Sequence, residues 1–167
     1  MRSGRLIVVG ILTLVLPPTA AAAPSRPDKT SASRTQNVPF VTLASGGSTR
    51  HPRRNRVSLA RSLAATKAWG RWLSADARKA LDKVDFRRYG VVAAFHLQQS
   101  TGLRIRRIAR ASHTLGLWLD VFSAAPQPTR VTFGAYQLVT IQKTYLRTVS
   151  RLAVRSVRVC RVWPCGP

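Results

Sequence analysis

The stretch VDFRRYGVVAAF, Val84 to Phe95, decides how the chain reads. Up to Asp85 the apolar residues recur at helical spacing. Beyond it they run together, and Tyr89 to His96 is rich in aromatic and β-branched residues, the signature of a strand. Asp85 stands at that change of period, in a chain with five acids against 28 Lys and Arg.

Working back from Asp85, Ser58 to Leu81 predicts a helix. Ser58 can cap its first free amides. Leu59, Leu63, Trp69, Trp72 and Leu73 fall near helical spacing and form one apolar stripe. Gly70 weakens the helix, and Ser74 can restart it as ADARKALDK. The paired tryptophans could stack on a sugar or a base, but on an amphipathic helix their spacing points to core packing.

Working forward, Leu103 to Arg110 begins as LRIR and slips at Arg106-Arg107, where a bulge would restore the register. Leu115 to Phe122 puts Leu117, Leu119 and Val121 on one face and Trp118, Asp120 and Phe122 on the other. Ala124 to Thr129 (AAPQPT) reads as a loop, Val131 to Lys143 as a long strand or a broken pair, and Val149 to Val159 as partly alternating. The expected fold class is α+β, an antiparallel sheet of about four to six strands packed by one or two N-terminal helices. Val91, Ala93, Phe95, Ile105, Leu117, Leu119, Leu138 and Val139 are the residues expected beneath the tryptophans.

The ends read differently. Residues 1–22 have a positive start (Arg2, Arg5), an apolar run from Leu6 to Leu16 and a small-residue exit at Ala20 to Ala23, the order of a secretory signal peptide. The run is shorter than the roughly 20 residues that span a bilayer. Cleavage is expected after Ala22, leaving no transmembrane segment and a secreted or periplasmic protein; an uncleaved amphipathic anchor is the competing reading. Residues 23–56 shift to Pro, Ser, Thr, Gly and Arg and read as a flexible basic linker, interrupted by VPFVTL (Val38 to Leu43), an edge strand or docking segment of weak order. Residues 57–143 are then the folded domain and 144–167 a C-terminal extension. Cys160 and Cys165 lie in that extension. Export favours a disulfide between them over a redox or zinc motif, whose spacing they lack.

Losing Arg2 and Arg5 with the leader leaves 26 of the 28 basic residues against five acids, about +21. Such a chain is drawn to anionic surfaces, envelope polymers or nucleic acid. The arginines are spread along the whole chain, so an arginine-rich coding bias accounts for the same excess.

Catalytic sets are missing from the pattern. His51, His96 and His113 are scattered, and a metal site needs more donors than they and the cysteines offer. Nothing in the spacing of Asp76, Asp82, Asp85 and Asp120 brings a pair together for acid–base work. There is no Gly-x-Ser-x-Gly elbow, Walker loop or dinucleotide fingerprint. The chain reads as a non-enzyme with no cofactor and no metal. GLRIRRIAR, Gly102 to Arg110, is the best basic candidate for nucleic acid, with Arg104 and Arg106 sharing a strand face.

VDFRRYGVVAAFHLQQSTGLRIRRI resembles the core of PrcB-like proteins, the C-terminal domain family of a protease-complex stabilising subunit. Asp85-Phe86 opens the motif, Val91 to Phe95 is its strand, Ser100-Thr101-Gly102 its turn, and Leu103 to Ile108 the next strand. APQPT and YQLVTIQK (Tyr136 to Lys143) resemble the family's proline loop and closing strand. The likeness runs from about Ser58 to Lys143. Where the family has Thr-Gly-Gly and an aromatic, this chain has Thr101-Gly102-Leu103-Arg104. The resemblance implies an exported, non-catalytic domain that binds or stabilises a protease or another envelope protein. Its contact surface would be Ser100, Thr101, Gly102, Leu103, Arg104, Arg106 and Arg107. Asp85 would be structural, accepting amide hydrogens where helix gives way to sheet, with Phe86 filling the core edge. A solvated turn acid is the alternative for Asp85. The competing functions are a cationic binder of anionic envelope polymer or nucleic acid, and a peptidase inhibitor or small exported hydrolase using Asp85 or His96.

Overall fold

The computed structural model describes residues 35–48, 52, 54–97, 100–123 and 134–160. The expected leader, the 23–34 stretch of the expected linker with residues 49–51 and 53, the AAPQPT loop and Cys165 lie outside the described residues. Those described form β1 (Gln36–Asn37), β2 (Val41–Ser48), β3 (Arg56–Ala60), α1 (Leu63–Thr66), α2 (Ala75–Asp82), β4 (Tyr89–His96), β5 (Ser100–Ala111), β6 (Thr114–Ser123), β7 (Gly134–Gln142) and β8 (Arg151–Cys160). Single-turn and two-turn 3-10 segments lie at Lys143–Tyr145 and Lys67–Trp72.

The architecture is strands with a few short helices, in two four-stranded sheets rather than one. The first has the order β2-β7-β4-β3 and the second β1-β5-β6-β8. All pairings are antiparallel except β6 with β8, which run parallel. The unbroken apolar run of β4 is explained by its place: it lies inside the first sheet, and both of its faces are covered. Val91, Ala93 and Phe95 join Tyr136 and Leu138 of β7 against Trp69, Trp72, Leu73, Ala77 and Leu81. Val92 and Ala94 face the other way, into a core with Ile105, Ile108, Leu115, Leu117, Leu119, Val121 and Val139. The single apolar face expected from sequence is therefore split. Val91, Ala93, Phe95 and Leu138 meet the tryptophans, while Ile105, Leu117, Leu119 and Val139 fill the space between sheets. Adjacent strand residues point to opposite faces, so Leu138 and Val139 cannot share one.

The helical layer is shorter than Ser58 to Leu81. Val57-Ser58-Leu59 alternates and pairs with β4 as β3, so Ser58 caps nothing. The caps are Ser62, whose Oγ accepts from Ala65 N at 3.4 Å, and Ser74, which accepts from Ala77 N at 3.2 Å. The Ser74 hydroxyl also meets the Tyr136 hydroxyl at 2.9 Å, fastening the helical layer to β7. Phe95 is the hub beneath, with edge-on contacts to Trp69 (6.4 Å between centroids) and Trp72 (5.3 Å).

Two strands fall within the expected linker, and one of them, β2, begins inside VPFVTL and lies at a sheet edge, as the edge-strand reading of that segment expected, but runs on to Ser48. β2 pairs with β7 from Val41 to Ser48, with a register shift between Thr42 and Ala44, and Val38 is buried in the inter-sheet core. Ser-Gly-Gly-Ser is tolerated in β2 because the Tyr136 ring takes the room above Gly46, where an added Cβ would lie 3.1 Å from its hydroxyl.

At the handover from helix to strand, Asp85 Oδ1 accepts the Arg87 amide hydrogen (2.9 Å), and its carbonyl accepts from Arg88 N and Tyr89 N. This is an Asx turn, in which a short carboxylate closes the backbone locally. Phe86 is half-buried against the helix-side core. Gly90 follows because nothing larger fits: a Cβ there would lie 2.5 Å from Leu146 Cδ1 and 3.1 Å from the Ala60 carbonyl.

Candidate functional site

The second sheet turns Leu103, Ile105, Leu117 and Leu119 inward and gathers arginines on its outer face. On β5, Arg104 stands across from Asp120 and Arg107 across from Trp118, with the register shifting between Ile105 and Arg107. The bulge absorbs Arg106, so three arginines of LRIRR reach one face while Ile105 and Ile108 stay inside. The Ile105 amide beside the bulge is held from the opposite sheet: Gln137 Oε1 accepts it, and Gln137 Nε2 donates to Thr42 Oγ1 at 3.0 Å. Gln137 is buried, and satisfying that amide in the interior keeps the bulge where it is.

On the other side of Asp120, β8 places Arg158 in register. Arg104, Asp120 and Arg158 thus form a rung across three strands. Asp120 Oδ1 lies 3.2 Å from Arg158 Nε and 3.6 Å from Arg106 Nε; the carboxylate side chain is 6 % exposed and the two arginines are 36 % and 44 % exposed. One rung away, the Arg107 guanidinium lies over the Trp118 ring at 4.8 Å and donates to Asn37 Oδ1 at 2.9 Å. Arg155, at a second register shift between Leu117 and Trp118, crosses the place where Gly116 has no side chain. A Cβ at Gly116 would sit 2.9 Å from Arg155 Cγ and 3.3 Å from the Trp118 ring.

The result is a sheet face carrying Arg104, Arg106, Arg107, Arg155 and Arg158 around one buried carboxylate and one indole. Arg104, Arg106, Arg107 and Arg155 are exposed. The single acid neutralises a minority of the charge, leaving a potential suited to an anionic surface. Arginine and tryptophan are also the side chains that most often dominate protein–protein contacts.

Of the residues expected to make contact, Arg104, Arg106 and Arg107 lie together on this face and Thr101 is exposed. Ser100 and Leu103 are buried and Gly102 is half-buried. Ser100 to Gly102 is the start of β5 rather than a turn, paired with Ser123 and Phe122. Gly102 leaves room for the Phe122 ring, 3.0 Å from where a Cβ would be. The residues that sequence did not assign to the site are Trp118, Asp120, Arg155, Arg158 and Gln137. Trp118 and Asp120 share the polar parity of β6, which was the available signal. Arg155 and Arg158 were hidden by the interrupted alternation of β8. Cys160 ends β8 and is buried; its expected partner Cys165 lies outside the described residues.

Among the described residues no three His, Cys, Asp or Glu side chains meet as a metal set. His96 is on the inner side of β4, 8 % exposed, and its Nδ1 has no hydrogen-bond partner. Burial pushes its imidazole below the ordinary 6.5 because the charged ring is poorly solvated there. The unfolded chain therefore binds a proton that the folded chain refuses. The contribution of neutral His96 to stability is present above the unfolded value of 6.5 and is lost as pH falls from there toward the lower folded value. Urea midpoints measured from about pH 7 to about pH 5 are expected to fall less in His96→Leu than in the parent.

The chain matches no family model, no curated protein and no solved structure.

Proposed function

We propose that the protein is an exported, non-catalytic binding module that docks an acidic surface of another protein on the outer face of its second sheet. The observation that carries the reading is the Arg104–Asp120–Arg158 rung beside the Arg107–Trp118 stack. A buried acid holds the Arg106 and Arg158 guanidinium groups in place on the sheet, and the Trp118 indole beneath Arg107 supplies apolar area among the arginines. Export rests on the leader-like start of the chain, and a protease-complex subunit is the partner that the PrcB resemblance suggests. The Ser100–Gly102 segment contributes only its exposed Thr101 to this surface.

The test is affinity capture from an envelope fraction, at low and high salt, with parent and Arg104→Glu/Arg107→Glu proteins compared by mass identification. One defined protein is expected to be retained by the parent. Its yield should fall by about a hundredfold in the reversed variant, as paired charges turn repulsive. Equal recovery by both proteins would refute the assignment of this face. Recovery of polyanionic polymer alone, with steep loss in salt, would assign the face to envelope polymer or nucleic acid instead.

A further inference from the structure

The Asp85 turn faces a second basic segment across a cavity of about 370 Å³. Arg87, Arg88, Lys143 and Arg147 line it, with Tyr89 and Thr144 adding hydroxyl-bearing side chains. Both walls are pinned by backbone. Asp85 holds Arg87, Arg88 and Tyr89 as described above, and Lys143 N donates to the Arg88 carbonyl at 2.8 Å, joining one wall to the other. The second wall is anchored by Leu146, which is 1 % exposed and closes onto Gly90. Arg61 donates from outside the cavity to the carbonyls of Leu146 (3.1 Å) and Val149.

The four cations are placed unlike those around Asp120. No carboxylate lines the cavity, and among the described residues none of the four side chains has a hydrogen bond or ion pair. Asp85, the acid nearest in sequence, engages the Arg87 amide. Like charges converging in a concavity raise its potential and repel one another until an anion enters. The chemistry of the set selects the anion. Guanidinium forks match the paired oxygens of a phosphoryl group, the Lys143 ammonium supplies a point charge, and the hydroxyls can donate to remaining oxygens.

We propose that this cavity is a binding site for a phosphate-bearing group, whether free, in a phosphodiester, or in a lipid headgroup. It is separate from the outer sheet face and does not depend on that face's partner.

The test is calorimetric titration of the full chain with inorganic pyrophosphate, alongside sedimentation with vesicles of phosphatidylglycerol or phosphatidylcholine. Saturable binding is expected, weakened about tenfold or more in Arg87→Ala/Arg147→Ala. It should be retained in Lys79→Ala, which removes one exposed charge on α2. Binding to phosphatidylglycerol but not to pyrophosphate would place the phosphate in a headgroup; the reverse would place it in a soluble ligand. The proposal is overturned by no saturable binding in either arm. It is equally overturned if the Lys79 variant loses as much as the cavity variant, since net charge alone would then explain the binding. Thermal melts of the variants matching the parent would exclude unfolding as the cause; if the double variant melts early, Lys143→Gln is measured in its place.

Discussion

Trp72→Ala is expected to destabilise the protein by about 3–5 kcal/mol, the cost of emptying a large aromatic site in a packed layer. The helical layer has little else to keep it formed. α1 has four residues, α2 eight and the 3-10 segment between them six, each too short to be helical alone in water. Their stability comes from packing, and Trp72, 6 % exposed, makes the closest T-shaped ring contact with Phe95, 5.3 Å between centroids. Removing it takes away the transfer energy of the indole and the ring contact, and leaves a hole over β4 that Ala93 is too small to fill. Arg71, whose guanidinium lies 4.8 Å from the Trp72 ring, loses its platform at the same time. A thermal melt should move down by about 10–20 °C for a domain of this size. Amide exchange should rise first in α2 and last in β4 and β7, where the sheet still has a second covered face. A shift of only a few degrees would mean that the tryptophans lie on the fold instead of holding it.

How far the sequence foretold this arrangement can be seen at single positions. The slip in LRIRR was legible because the alternation changes phase by one residue, and a bulge is the cheapest way to keep Ile105 and Ile108 on one side. The end of the helical layer at Asp85 was legible from the change of period. The extra sheet was not. Parity tells which residues of β6 share a face, but not whether that face meets helices or another sheet, and both coverings favour the same apolar residues. The start of β2 was legible in VPFVTL, but its continuation was not: Ser-Gly-Gly-Ser pairs through backbone groups that carry no side-chain signal, and its apolar cover comes from Tyr136 some ninety positions later. The basic face was half legible. Arg104 to Arg107 stood out as a cluster, whereas Arg155 and Arg158 join it only because β8 returns parallel to β6, a pairing set by the path of the chain through β7. The charge count likewise could not separate arginines tied to Asp120 from those left unpaired around the Asp85 turn.

Asp120 offers a test in which stability and binding should move in opposite directions. Asp120→Asn keeps a side chain of the same size and an acceptor oxygen but removes the charge that holds Arg106 and Arg158. Breaking a buried pair by deleting one partner costs about 3–5 kcal/mol when the other charge is also buried. Here the arginines are 44 % and 36 % exposed, so they can turn to water and the loss is expected to be smaller, about 1–2 kcal/mol. Asp120→Ala should lose more, because the Oδ1 acceptor disappears as well and a small cavity opens beside the rung. Added salt should narrow the gap between parent and variants by screening the uncompensated guanidinium groups. Binding of an acidic partner should respond the other way. With its one acid neutralised the face gains positive charge, and association at low salt should quicken by about two- to tenfold. If affinity instead drops in step with stability, Asp120 is organising the contact surface and its order matters more than its net charge. If neither quantity changes, the rung across β5, β6 and β8 is incidental, and the docking face must be sought elsewhere on the molecule.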